Sequence, residues 1–250
     1  MAHYKLILAY DGTDYHGFQR QADKATIQAD FEEALRRLGW QGRGVIPSGR
    51  TDSGVHALGQ VVSFHLDWKH SDATLQNALN AFLPSQIAVQ QVEQVPAEFH
   101  PRYDAVERAY RYRLYFQRAR DPLADRYAWR LDAAPDLERM NRAARELIGE
   151  HDFRAFGRAL KEDGTTVRRV FSAEWQKTPS GMEFVIRGNA FLYHMVRRIV
   201  FILVKIGQAE LPEEIVRTGL ESGSTGKVDL APARGLTLME VVFGGEEKKK

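Results

Sequence analysis

The sequence predicts an α+β fold built from two halves that share much of their element order. Short apolar segments of strand length alternate with longer segments whose apolar residues recur at helical spacing. Over residues 4–95 the order is strand, helix, strand, strand, helix, strand, which is the ferredoxin-like split β-α-β pattern. Residues 109–243 repeat most of this order, so the second half is expected to have a related architecture.

In the first half, Tyr4–Tyr10 carries apolar residues on both faces, which predicts a strand buried on both sides. Thr26 is expected to cap a helix that buries Ile27, Phe31 and Leu35 and ends at Gly39. The later elements are expected to be strands at Gly44–Pro47 and Gln60–Trp68, a helix at Asp72–Phe82 capped by Ser71 and stopped by Pro84, and a strand at Ile87–Val95.

The second half follows the same rules, and we place the boundary between domains at residues 104 and 105. The predicted elements are a strand at Ala109–Phe116, a helix at Pro135–Ile148, a compact loop or turn at Gly149–Phe156, a hairpin of strands Val167–Lys177 and Met182–Gly188, a long buried helix at Leu192–Ile206, a helix near Pro212–Glu221 and a last strand at Leu236–Phe243. The C-terminal domain is expected to end at residue 245, followed by a disordered charged tail at 246–250.

Composition narrows the class of protein. The chain has 250 residues, of which 44% are hydrophobic and 27% charged, as in globular proteins, and no apolar run approaches the length of a membrane span. It contains no cysteine, which excludes disulfides, thiolate catalysis and cysteine-ligated metals. No signal peptide is recognised at the N-terminus, so a cytoplasmic location is expected.

Positive charge is concentrated in the second half. The net charge is +2, and 25 of the 35 cationic residues are arginine, which suits phosphate contacts and stacking on bases. Residues 102–130 contain eight arginines and four acidic residues, interleaved with aromatic residues. On a strand at Ala109–Phe116, Tyr110 and Tyr112 would share one face and Arg111 and Arg113 the other. This pattern fits either an ordinary amphipathic strand or a base-stacking platform beside a phosphate-binding rim.

The segment Ser48–Ala57 is the strongest candidate for a site. It places one carboxylate, Asp52, among glycines, hydroxyls, Arg50 and a histidine, between two strand-like runs. Two glycines around a polar run indicate a tightly bent loop that approaches another group closely. The segment therefore fits either a turn in which Asp52 bonds its own backbone or a functional loop built around that carboxylate.

Other polar residues carry weaker signals. The eight histidines have no metal-binding spacing, so no metal site is expected. His56 and His194 are better explained by structural roles than by acid–base catalysis. Asp11 and Asp14 fit loop capping as well as they fit contact with RNA.

Five motifs in order resemble the TruA-type tRNA pseudouridine synthases along nearly the whole chain. These motifs are Tyr10–Thr13 with Gly17–Gln21, Gly49–His56 (G-R-T-D-S-G-V-H), Phe99–Arg102, Arg108–Tyr112 and Asn189–Arg197. The sequence departs from the family pattern at Ser53, Arg198, Phe201 and Thr237. Of these, Phe201 is expected to change the packing around the long helix.

The resemblance implies a pseudouridine synthase fold, with two ferredoxin-like halves sharing a mixed, mostly antiparallel sheet and an active-site cleft. It implies a homodimer that isomerises uridine at about nucleotides 38, 39 and 40 of the tRNA anticodon stem-loop, without metal or cofactor. By motif position, Asp52 is the catalytic aspartate and Tyr110 stacks on the target uracil. Arg197 resembles the partner that keeps Asp52 ionised, and Arg50 the residue that occupies the space of the flipped base.

Further contacts with tRNA are expected from polar and cationic side chains in and around these motifs. The candidates are Gln19, Arg20, Arg102, Arg108, Arg111, Arg168 and Arg169. Two alternatives remain: a non-catalytic RNA-binding or tRNA-folding protein, and a pseudouridine synthase that acts on another RNA.

Overall fold

The computed structural model describes residues 1–161 and 163–244. The expected disordered tail at 246–250 lies outside them. The described elements, in chain order, are β1 (Ala2–Tyr10), α1 (Ile27–Arg37), β2 (Ile46–Pro47), β3 (His56–Leu66), α2 (Asp72–Phe82), β4 (Ile87–Gln94), β5 (Ala105–Phe116), β6 (Trp129–Leu131), α3 (Leu137–Arg145), β7 (Gly149–Asp152), β8 (Val167–Thr178), β9 (Gly181–Gly188), α4 (Met195–Gly207), α5 (Ile215–Ser222) and β10 (Leu236–Phe243). The predicted α+β class is confirmed.

The first compact unit comprises Met1–Val106 and the described part of Thr237–Lys250. Its strands β4, β1 and β3 are neighbours and pair antiparallel, and β2 pairs with β3. This is the strand order of a ferredoxin-like sheet, and the two helices between its strands supply apolar faces such as Phe31 and Leu75. β10 pairs parallel to the start of β3, through Thr237 and His56.

The second unit is Glu107–Leu236. Its strands follow the order β5, β9, β8, β7 with antiparallel pairing, and β6 adds to β5 in parallel. Helix α3 packs against α4 and β8. Its N-terminus is capped by Asp136, whose carboxylate accepts hydrogen bonds from the backbone N–H groups of Glu138 and Arg139.

Helix α4 is largely buried, as predicted. Ile199, Val200 and Ile202 are almost fully buried. The ring of Phe201 lies nearly parallel to that of Trp129, with centroids 6.2 Å apart, so this unusual residue is accommodated by an aromatic partner. None of the described helices is long and apolar enough to cross a membrane.

Several predicted elements match the structure closely. Helix α2 has the predicted bounds, and Ser71 Oγ accepts a hydrogen bond from the Thr74 N–H at its N-terminus. Thr26 occupies the capping position of α1, but its side chain makes no capping hydrogen bond. β10 also has the predicted bounds.

Other predictions were wrong in detail. Gly149–Asp152 is a strand rather than part of a loop, because it pairs along β8 as an edge strand despite its polar sequence. The short strand β6 was missed. Helix α4 begins at Met195 rather than Leu192, since His194 has a left-handed backbone (φ 66°) that cannot continue a helix N-terminally. β2 is limited to two residues, in part because Val45 donates its N–H to Glu32.

Candidate active site

The Asp52 loop connects β2 to β3 in the first unit. Asp52 is half-buried, and Arg50 is exposed. The backbone turns tightly after the carboxylate, because Val55 N–H donates to the Asp52 carbonyl at 3.1 Å and Gly54 has a left-handed φ of 75°. The bent loop that the glycines predicted is therefore present.

A chain of buried polar side chains lies under this loop. The Tyr10 hydroxyl is 2.8 Å from Thr51 Oγ1. Gln60 Nε2 donates to the Gly49 carbonyl at 3.0 Å and to the Tyr10 hydroxyl at 3.4 Å, while Ser48 donates to Gln60 Oε1 at 2.8 Å. Each of these residues is buried except Gly49, so their polar atoms depend on one another for hydrogen bonds.

The segment Asp11–Gln21 also packs against the Asp52 loop. Phe18 N–H donates to the Thr51 carbonyl at 3.1 Å, and Gly54 N–H donates to the Tyr15 carbonyl at 3.2 Å. A methyl group on Gly17 would lie 2.8 Å from the Thr51 carbonyl oxygen, and Gly17 has a φ of 91°. Glycine is therefore required for both the backbone conformation and the close approach of the two loops.

His56 and Asp11 have roles within the loops. His56 Nδ1 accepts a hydrogen bond from the Gly12 N–H at 3.1 Å, and the ring is buried. Asp11 Oδ1 accepts from both the N–H and the hydroxyl of Thr13. The contact of His56 agrees with the structural role expected for it, and the contacts of Asp11 correspond to the loop-capping alternative of the two that its sequence left open.

Gln19 and Arg20 occupy the end of the same segment and are both exposed. The Arg20 guanidinium donates to Glu32 Oε2 at 2.6 Å and to the Arg43 carbonyl at 3.1 Å. Glu32 also accepts from Gln28 and from the Val45 N–H, and its side chain is fully buried. Arg20 therefore neutralises a buried carboxylate.

In the second unit, Tyr110 lies on β5 and is half-buried. Its ring meets the ring of Phe191 edge to face, with centroids 5.3 Å apart. The next residue on the same strand face, Tyr112, is fully buried, and its hydroxyl donates to the Pro232 carbonyl at 2.8 Å. Tyr112 is therefore part of the core, and its burial raises the pKa of the phenol well above the ordinary value.

Arg197 lies in the first turn of α4. Its Nε–H donates to the Ala231 carbonyl at 2.8 Å, and the Ala231 N–H donates to the Arg197 carbonyl at 3.1 Å. These two bonds tie the helix to the segment before β10 and hold the guanidinium plane. Its charge lowers the pKa of Tyr112, an effect that burial of the phenol outweighs.

The other candidate arginines have different environments. Arg102 and Arg169 are exposed, whereas Arg111 is mostly buried and lies 3.9 Å from Glu183. Burial and the neighbouring Arg113 lower the pKa of Arg111, although an arginine remains charged at neutral pH.

The remaining two candidate arginines donate hydrogen bonds to backbone carbonyls. Arg108 donates to Asn189, and Arg168 donates to Thr165 and Val167. Asn189 also accepts from the Arg169 N–H, so it joins two of the arginine-bearing strands.

A separate cavity of about 780 Å³ lies in the second unit, at the end of β5 beside the β8–β9 turn. Its lining includes Arg113, Tyr115 and Ser180, and it contains none of the predicted site residues. We therefore do not include this cavity in the candidate active site.

Tyr10, Thr51 and Gln60 were not predicted as site residues, although the structure brings their side chains together at the Asp52 loop. Gln60 carried a usable signal, because a single amide within the apolar run of β3 must find a buried partner. For Tyr10 and Thr51, which are distant in sequence, only the fold shows that their hydroxyls meet.

Comparison with known proteins gives consistent matches. A family model described as tRNA pseudouridine synthase matches residues 6–104 and 143–244. tRNA pseudouridine synthase A of Syntrophotalea carbinolica is 41% identical over 244 residues, covering 97% of each chain. The proteins of the same name from Brevibacillus brevis and Staphylococcus aureus are 40% and 37% identical, over 97% of this chain and 100% and 92% of theirs.

Proposed function

Because the chain belongs to the tRNA pseudouridine synthase family, we propose that it isomerises uridine at about nucleotides 38, 39 and 40 of the tRNA anticodon stem-loop. The family assignment makes it an isomerase that acts on tRNA. The observation that carries the finer proposal is the G-R-T-D-S-G-V-H loop, whose Asp52 is half-buried on a backbone fixed by hydrogen bonds from two neighbouring segments.

We assign Asp52 as the catalytic carboxylate. The reaction breaks the bond between N1 of uracil and C1′ of ribose, rotates the base, and joins C1′ to C5, from which a proton is then lost. A carboxylate at C1′ can act as nucleophile, as base toward the sugar, or as stabiliser of an oxocarbenium-like state. No water needs activation, because the leaving uracil is also the group that recombines, so one carboxylate is sufficient.

Three further residues are given roles toward the same uridine. A uridine paired in a stem must be flipped out before its C1′ can be reached, at a cost of a few kcal/mol. Tyr110 would stack on the flipped uracil, Arg50 would occupy the space that the base leaves, and Arg197 would keep Asp52 ionised. In support, Tyr110 is half-buried, Arg50 is exposed, and the Arg197 guanidinium is held by Ala231.

The remaining arginines are proposed to contact phosphates, which would offset the cost of base flipping. The exposed Arg102 and Arg169 are suited to this role, together with Arg108, Arg111, Arg168 and the exposed Gln19. Arg20 would have to exchange or share its contact with Glu32. We further propose a homodimer in the cytoplasm, on the basis of the family resemblance, and light scattering of the purified protein would test the dimer.

The test of this function is to map pseudouridine in tRNA transcripts after incubation with the enzyme. Transcripts carry uridine at only one of positions 38, 39 or 40, or at none of them, and a pseudouridine-specific carbodiimide adduct is located by primer extension. We expect adducts at these positions and none in the transcript lacking them. Adducts elsewhere in tRNA would overturn the positional assignment, and an unmodified set of transcripts would favour a non-catalytic RNA-binding role.

A further inference from the structure

We infer that Tyr10 and Thr51 are positioning residues for the reaction, and that the hydrogen bond between their hydroxyls fixes the backbone that carries Asp52. This inference rests on the proposed function, since it takes Asp52 as the catalytic carboxylate. Tyr10 is the last residue of β1, and Thr51 directly precedes Asp52. The two hydroxyl oxygens are 2.8 Å apart and lie in a buried region.

The anchor is rigid because each member is held from a different element. Tyr10 belongs to a strand that pairs on both sides, with β3 and with β4, so the backbone that carries its ring is held in place. Gln60, on β3, donates to the Tyr10 hydroxyl and to the Gly49 carbonyl. Thr51 is also held through its carbonyl, which accepts from the Phe18 N–H. The residue before Asp52 is thus fixed through both its side chain and its backbone.

Such an anchor matters for catalysis because Asp52 must lie close to C1′ of a flipped nucleotide. A displacement of about 1 Å in a reacting group can reduce a rate by about a hundredfold. Glycine permits many backbone conformations, so a loop with a left-handed glycine at position 54 needs contacts that select one of them. Removal of the Tyr10–Thr51 bond is therefore expected to slow the chemical step while leaving the RNA-binding surface intact.

The experiment compares Tyr10→Phe, Thr51→Val, the double variant and Thr51→Ser with the wild type. Tyr10→Phe and Thr51→Val each remove one hydroxyl with little change in shape, whereas Thr51→Ser keeps the hydroxyl and removes only the methyl group. The matched control is Tyr4→Phe on the same strand, since Tyr4 is fully buried and its hydroxyl has no hydrogen-bond partner among the described residues. The readouts are the single-turnover rate of tritium release from tRNA labelled at uridine C5, the Kd for tRNA, and thermal unfolding.

We expect Tyr10→Phe and Thr51→Val each to slow release roughly 10- to 100-fold, with the Kd for tRNA unchanged. The double variant should be no slower than the slower single variant, because both changes remove the same hydrogen bond between Tyr10 and Thr51. Thr51→Ser and Tyr4→Phe should react at close to the wild-type rate. A purely structural role predicts lower unfolding temperatures with a wild-type rate for the folded enzyme, and that result would overturn the inference.

The failure of this inference can be distinguished from failure of the proposed function by including Asp52→Asn. If Asp52→Asn is inactive while Tyr10→Phe and Thr51→Val react normally, only the positioning role is wrong. If Asp52→Asn reacts normally, or the wild type releases no tritium, the catalytic assignment is wrong and the positioning role falls with it. If Tyr10→Phe does not fold, the pair Thr51→Val and Thr51→Ser decides the question.

Discussion

At the scale of single residues, Glu32 shows how a buried charge is made tolerable in the first unit. Its side chain has no exposed surface, and its two carboxylate oxygens accept from Gln28, Arg20 and the Val45 N–H. Burial of a carboxylate is costly unless it is paired and hydrogen-bonded. Glu32 thereby joins helix α1 to two loops, including the segment that packs on the Asp52 loop.

Replacement of Glu32 with alanine is expected to lower the free energy of unfolding by about 3 kcal/mol, because it leaves Gln28 and the Val45 N–H without their acceptor. The matched control is Glu33→Ala, since Glu33 is exposed and its arginine partners are 3.6 and 3.7 Å away. That change should stay within about 0.5 kcal/mol. Urea titrations of the two variants measure the change in the free energy of unfolding. Equal changes would show that the buried contacts of Glu32 stabilise the protein no more than the exposed ion pairs of Glu33.

At the scale of elements, the Asp52 loop and the segment Asp11–Gln21 support each other through backbone contacts. Two of the glycines at this contact, Gly12 and Gly17, lie close to carbonyl groups of the Asp52 loop, where a side chain would collide. The conformation of the loop is therefore determined by its partner segment as much as by its own sequence.

Gly17→Ala is expected to destabilise the protein by about 2 kcal/mol. A left-handed φ is strained for alanine, and its methyl group would collide with the Thr51 carbonyl oxygen. It should also slow uridine isomerisation by displacing the Asp52 loop. Gly44→Ala is the control, because its added methyl would make only ordinary contacts, the nearest at 3.5 Å from Glu32. Thermal unfolding and single-turnover rates test the pair, and a wild-type rate for Gly17→Ala would show that the two loops move independently.

A second contact between elements links α3 to the segment before α5. Glu213 accepts from Arg142 at 2.9 Å and from Arg139 at 3.1 Å. The hydrogen bond from Arg142, followed by the charges of both arginines, lowers the pKa of Glu213 despite partial desolvation. A carboxyl group with a lowered folded-state pKa stabilises the protein above its unfolded-state pKa and loses this contribution as the pH falls through the folded-state value.

Glu213→Gln is therefore expected to be less stable than the wild type at pH 7, with a difference that shrinks once the pH falls below about 4, the ordinary range for glutamate. The exposed neighbour Glu214 provides the control variant, Glu214→Gln, which should show little difference at any pH. Unfolding curves measured between pH 3 and 7 test this. A difference that persists unchanged at pH 3 would mean that packing, rather than charge, explains the effect.

The sequence predicted most elements where local signals were strong. Helix α2 was placed correctly because Ser71 and Pro84 mark its ends, and the hairpin of β8 and β9 because of the turn at Pro179–Gly181. Strand β7 could not be predicted, because Glu150, His151 and Asp152 gain their strand conformation only from pairing with β8. The same limit applies to the site: a motif indicated Asp52, whereas the Tyr10–Thr51 contact depends on tertiary structure.

At the scale of the whole molecule, the chain is organised as two compact units, and the proposed catalytic residues are divided between them. Asp52 and Arg50 belong to the first unit, and Tyr110 and Arg197 to the second. The last strand, β10, returns to the first unit after the second is complete, and it pairs with β3 at the residue that follows the Asp52 loop. The proposed isomerisation depends first on Asp52, which lies in the first unit.

The measurement that tests the proposed role of Asp52 most directly is tritium release from tRNA labelled at uridine C5, with wild type and Asp52→Asn compared at equal, saturating tRNA occupancy. Formation of the C1′–C5 bond displaces the label, so its release reports the isomerisation itself. We predict release by the wild type and a rate at least about a thousandfold lower for Asp52→Asn, with tRNA binding retained in both. Comparable release by both proteins would contradict the assignment of Asp52, and binding without release by the wild type would contradict the proposed isomerisation at these positions.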